Sequence, residues 1–132
     1  MAGGRRRPRL HSRAMGVLAD LATALVALLH LGFLVLEMFL WTKPLGLRVF
    51  RNTPERAEAT RVLAANQGLY NGFLAAGLAW GLIAGSLPFK AFFLACVIVA
   101  GAYGAWSVSR RILWVQAAPA ALALGLLVAA SA

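Results

Sequence analysis

The sequence predicts an all-α protein, a four-helix transmembrane bundle of up-down antiparallel topology, and three observations predict it. Four apolar runs of roughly 20 residues are each long enough to cross about 30 Å of hydrocarbon at 1.5 Å rise per residue. The 132-residue chain is 61% hydrophobic and 13% charged, with a mean hydropathy of +0.77. A soluble domain is about a quarter charged, and so short a chain has no interior large enough to hide that many apolar side chains. The connections between the last three runs are short, Ser86 to Pro88 and Ser109 to Arg111, so consecutive helices must be antiparallel neighbours.

Residues 1–14 read as a disordered basic leader carrying Arg5, Arg6, Arg7, Arg9 and Arg13, and residues 15–132 as a single membrane domain. Its spans are expected at about 15–41, 62–85, 89–108 and 112–130. The connection 42–61 is long enough for structure of its own. There Lys43, Arg48 and Arg51 interleave with Leu45, Leu47, Val49 and Phe50, which suits a segment resting among headgroups with its apolar atoms down. Thr53, Pro54 and Glu55 then start the second helix outside the hydrocarbon as cap, first helical residue and dipole complement. Gly77, Gly81 and Gly85 at four-residue spacing mark a face for close helix packing, within the chain or between copies of it. Pro119 is expected to kink the last helix and free a carbonyl near Gln116.

The charge of +9 flanks the apolar runs, which is what topology and anionic lipid headgroups require, so nucleic acid is excluded as a partner. Lys43, Arg48 and Arg51 are the expected headgroup contacts. Counted from Met1, the two sides of the membrane hold six and seven basic residues. Counted from Met15 they hold one and seven, so we expect a start at Met15, the first and third connections in the cytoplasm, and a multi-pass protein of the inner membrane. Cys96 is the only cysteine, which excludes a disulfide and a thiol redox pair. His11 and His30 are too far apart in sequence for a local metal motif, and no cofactor signature is present.

The polar residues gather in one half of the bundle. Thr23, His30 and Glu37 recur every seven residues, within about 20° of one line on the first helix, and Trp41 continues that line. Asn66, Gln67, Tyr70 and Asn71 on the second helix fall at the depth of Glu37, as do Tyr103 and Trp106 on the third and Trp114 and Gln116 on the fourth. An acid inside a span costs about 2.5–3.5 kcal/mol, so Glu37 should face the interior and have a partner or a task. Glu37 and His30 are the candidate proton-transfer pair. Trp41, Asn66, Gln67, Tyr70, Asn71, Tyr103, Trp106 and Gln116 are the candidate ligand-binding residues. The competing reading makes the amides and Glu37 interhelical glue and the tryptophans an aromatic belt.

The block Leu36-Glu37-Met38-Phe39-Leu40-Trp41-Thr42-Lys43-Pro44, followed by Thr53-Pro54-Glu55 and by Asn66-Gln67-Gly68-Leu69-Tyr70-Asn71-Gly72-Phe73, resembles the small bacterial membrane proteins grouped as domain of unknown function 1304. The likeness covers Met15 to the C-terminus. It implies a four-helix integral membrane protein and supplies no reaction. Three function classes follow: a pocket for a small lipophilic molecule, with or without catalysis; a structural or accessory membrane protein; and a proton-coupled transporter subunit. The lack of an obvious internal repeat counts against the last.

Overall fold

The computed structural model describes residues 10–132, so Arg5, Arg6, Arg7 and Arg9 of the expected leader lie outside the described residues. Helix α1 spans Leu10–Met38, α2 Pro44–Phe50, α3 Pro54–Ala84 and α4 Leu87–Ser107; a π turn over Leu113–Ala117 leads directly into α5, Ala118–Ser131. No strand occurs among the described residues. Helix α1 is therefore already formed at Leu10, five residues before the expected boundary at Met15, and ends three before Trp41.

The early end of α1 has a local cause. The Leu40 N–H donates to the carbonyl of Val35 at 3.2 Å, one residue further back than an α-helical bond, and Pro44 then opens α2 at a position where its missing N–H costs nothing. Thr53 caps α3 as expected, its hydroxyl accepting from the Arg56 N–H at 3.2 Å. Gly85 closes α3 in the left-handed region, at φ 60°, with its own N–H bonded back to the helix. Before α5, the N–H of Ala118 reaches the carbonyl of Leu113, five residues back, so the helical ladder is interrupted by a π turn directly before Pro119.

Helix α1 packs on α3 and α5, and α4 packs on α3, α5 and the π turn, so the four long helical segments close a ring. The core along its axis is Ala19, Val26, Leu78, Leu94, Val97, Ala120, Ala123 and Leu127. Outside it, Leu18, Leu21, Leu25, Leu28, Ile83, Phe92, Val99 and Leu122 are exposed, an apolar surface that suits lipid rather than water. Three segments are long and apolar enough to cross a membrane: Leu10–Met38, Leu87–Ser107 and Leu113–Ser131. Helix α3 is longer but less apolar, because its first turns carry Glu55, Arg56, Glu58 and Arg61 and its middle carries Asn66, Gln67 and Asn71.

The glycine row on α3 is used within the chain, one of the two uses expected for it. The faces of Gly77 and Gly81 lie against Phe93 and Lys90 of α4, and Gly85 belongs to the helix terminus. At that end of the molecule Lys90, almost wholly buried, donates from Nζ to Oδ1 of Asp20 on α1 at 3.0 Å.

Candidate functional site: a polar cavity at the connection end

The seven-residue line on α1 faces the interior as its spacing requires. Thr23, His30 and Glu37 are all buried, on the same face as Ala19 and Val26. Thr23 satisfies its hydroxyl locally by donating to the Ala19 carbonyl at 2.8 Å. His30 uses both ring nitrogens. Its Nδ1 lies 2.8 Å from the Val26 carbonyl, which can only accept, so Nδ1 carries the proton. Its Nε2 then accepts from Nε2 of Gln116, 3.1 Å away on the π turn. The ring also meets Phe33 edge to face, with centroids 5.3 Å apart.

At the last residue but one of α1, Oε1 of Glu37 accepts from Nδ2 of Asn71 at 2.7 Å, a short hydrogen bond between α1 and α3. Gly68 lets the two helices come together at this point. A methyl group in its place would lie 2.7 Å from Cγ of Met38 and 3.1 Å from Cβ of Glu37. The pairing is the expected one between Glu37 and the Asn66–Asn71 cluster, reached through a single member of it.

Glu37, Asn71, Gln67 and Gln116 line a cavity of about 420 Å³. Its apolar walls are Phe33, Val49, Phe50, Val108, Ile112 and Val115, and Arg51, Ser109 and Arg111 complete its rim. The roof is α2. That short helix is tied down by Nη2 of Arg111, which donates to the Val49 carbonyl at 3.2 Å, a group left without an intrahelical partner at a helix end. Trp41 braces it as well: its ring meets Phe50 at 4.8 Å between centroids with the planes tilted by 48°, and its Nε1–H donates to Oγ1 of Thr60 at 3.1 Å. Arg51 itself sits in the left-handed region, at φ 54°, the one non-glycine residue to do so among the described residues.

Several expected site residues lie elsewhere. Asn66 and Tyr70 are exposed on the outer side of α3, and Tyr103 and Trp106 are exposed on α4, 67% and 84% accessible. Depth alone does not decide which side of a helix a residue occupies, and these four share the depth of Glu37 without its direction. Trp41 supports the roof instead of lining the cavity, because α1 ends before reaching it. His30 lies behind the wall, in contact with Gln116 and Phe33, and each of its nitrogens has a partner other than Glu37. The expected Glu37–His30 pair is therefore replaced by two separate pairs, Glu37–Asn71 and His30–Gln116. Sequence reasoning missed Phe33, Ser109 and Arg111, and it gave Arg51 only to headgroups. The signal for Phe33 was available, since it is three residues after His30 and four before Glu37 on one helical face.

The family described as protein of unknown function (DUF1304) matches residues 24–128. The uncharacterized protein YpaA of Lactococcus lactis subsp. lactis (strain IL1403) is 32% identical over 114 residues, which cover 83% of this chain and 96% of that protein. No solved structure matches.

Proposed function

The chain belongs to the DUF1304 family, and we propose that it is a multi-pass protein of the inner membrane that binds a small lipophilic molecule in the cavity beneath α2. The cavity carries this reading. About 420 Å³ is the size of many small-molecule sites, and apolar walls with a few convergent polar groups are their usual chemistry. Glu37, held by Asn71, and the amides of Gln67 and Gln116 would orient the guest. In this reading α3 makes the fourth crossing from about Val62, its charged first turns standing at the headgroups. The first and third connections, with Lys43, Arg48, Arg51, Arg56, Arg61, Arg110 and Arg111, face the cytoplasm.

The test is mass spectrometry of small molecules that remain with the protein after extraction in neutral detergent, for the native chain and for Val115→Trp, which fills the cavity from its wall. Enrichment of a discrete compound with the native chain and its loss from the variant support the proposal. Equal recovery from both overturns it.

A structural reading has an observation of its own. Every polar side chain on the buried line of α1 is paired, and such pairs fix helix register whether or not a guest binds. The two readings part at Glu37, where the removal of charge and the removal of the hydrogen bond have different consequences.

A further inference from the structure

We propose that the molecule taken by the cavity is an anionic amphiphile, whose phosphate or carboxylate head is held at the rim by Arg51 and Arg111 and whose apolar body lies against Phe33, Val108, Ile112 and Val115. This rests on the reading of the cavity as a lipophilic site and adds the chemical class of its occupant.

The charges at the rim carry the inference. Both arginines line the cavity, and among the described residues neither has a carboxylate partner; the ion pairs there are Arg61–Glu58 and Lys90–Asp20. Arg111 uses Nη2 on the Val49 carbonyl, which fixes the guanidinium under the end of α2 while its remaining N–H groups stay available. A guanidinium is a planar fork of donors that matches phosphate and carboxylate oxygens, and two of them on one rim match a single head.

The backbone at Arg51 points the same way. A left-handed helix terminus is the place where glycine is unstrained, and this one carries a long cationic side chain on the cavity rim. Deeper in the cavity the polar groups are the carboxyl of Glu37, already bonded to Asn71, and the amides of Gln67 and Gln116, none of which brings a positive charge to meet an anion. An anionic head is therefore favoured at the rim and disfavoured at depth. Both arginines sit on connections at the end of the helices, at the level of the lipid headgroups.

The full chain in neutral-detergent micelles would be mixed with decyl phosphate, decanol and decyltrimethylammonium, and bound ligand counted by native mass spectrometry. One charge-assisted contact is worth roughly tenfold or more in affinity, so we expect decyl phosphate to be retained at least about tenfold over the other two. The paired substitution Arg51→Gln and Arg111→Gln should bring it down to the level of decanol. Arg51→Gly, unstrained at this φ, should lose part of the preference and serves as the readout if the double variant does not fold.

A free anion is separated from an amphiphile by competition. Inorganic phosphate in about hundredfold excess should leave decyl phosphate bound, because the decyl chain adds favourable burial that the free ion lacks. Displacement by inorganic phosphate alone assigns the rim to a soluble anion and overturns the amphiphile. Equal retention of decyl phosphate and decanol overturns the anionic head and leaves the lipophilic cavity standing. Retention of none of the three overturns both.

Discussion

Nε2 of Gln116 lies 3.1 Å from Nε2 of His30, joining two residues 86 positions apart in sequence and fixing the π turn to the last third of α1. The bond ties the tautomer of one side chain to the amide orientation of the other. With Nδ1–H committed to Val26, the imidazole has a lone pair at Nε2 and Gln116 must present N–H to it. Nitrogen NMR of selectively labelled histidine should show Nδ1 protonated and Nε2 bare at neutral pH. Gln116→Leu leaves that buried lone pair without a donor and should destabilise by about 1–3 kcal/mol. A resonance pattern for the Nε2–H tautomer would contradict the pairing.

Glu37 separates charge from hydrogen bonding. Glu37→Gln keeps a carbonyl oxygen that can accept from Asn71, so unfolding free energy should change by less than about 1 kcal/mol, whereas Glu37→Leu leaves Asn71 unpaired and should lose about 1–3 kcal/mol. If the cavity orients a guest through the carboxyl, the Gln variant loses co-purified ligand while its stability holds. A purely structural Glu37 gives the opposite result, with ligand recovery unchanged in Gln and only Leu affected.

The ion pair at the far end predicts an asymmetry. Lys90 is 8% accessible, while the Asp20 side chain is about half exposed at 53%. Asp20→Asn leaves a buried ammonium facing a neutral amide and should destabilise by about 1–3 kcal/mol. Lys90→Met keeps the stem against Gly81, and the freed Asp20 returns to water, so its effect should be the smaller of the two. Denaturation of both variants in micelles ranks them, and the reverse order would contradict the unpaired buried ammonium as the costlier defect.

The elements that sequence made legible are those governed by periodicity and by end chemistry. Thr23, His30 and Glu37 face inward because a seven-residue repeat leaves a helix only about 20° out of phase. Thr53 and Pro54 begin α3 because their side chains are suited to a first turn. Trp41 escaped the reading because α1 stops three residues before it, where the Leu40 N–H reaches back to Val35 and Pro44 opens α2. Tyr70, Tyr103 and Trp106 escaped it because length along a helix was legible and rotation about it was not: neither α3 nor α4 separates an apolar face from a polar one, so both give little phase signal. Arg111 could not be placed at all, since its partner Val49 lies 62 residues away and is reached through the backbone carbonyl.

Arg51 should gain stability on losing its side chain. A non-glycine residue in the left-handed region is strained by about 1–2 kcal/mol, part of which glycine returns as unfolded-state entropy. We therefore expect Arg51→Gly to be neutral or to stabilise by up to about 1 kcal/mol, and Arg51→Val, branched at Cβ, to destabilise. Thermal melts of the two variants in the same detergent measure the difference. A stable Val variant would mean that α2 ends differently from the left-handed terminus described.

Gly68 and Gly32 provide the final contrast, because both are helical glycines and only one is pressed against a neighbour. At Gly68 an added methyl would meet Cγ of Met38 at 2.7 Å, Cβ of Glu37 at 3.1 Å and the Leu34 carbonyl oxygen at 3.3 Å. The Met38 side chain can swing aside, but Cβ of Glu37 and the Leu34 backbone move only with α1 itself. Gly68→Ala should therefore separate α1 from α3, lengthen the 2.7 Å bond between Glu37 and Asn71, and destabilise by about 1–3 kcal/mol through overpacking. Gly32 has nothing within 4 Å of an added methyl, so Gly32→Ala removes only backbone freedom and should be neutral or stabilise by up to about 1 kcal/mol. Chemical denaturation of both variants, together with recovery of co-purified ligand, tests the pair. If Gly68→Ala is as silent as Gly32→Ala, the close approach that places Glu37 beside Asn71 does not exist, and the cavity beneath α2 loses the wall on which its polar chemistry depends.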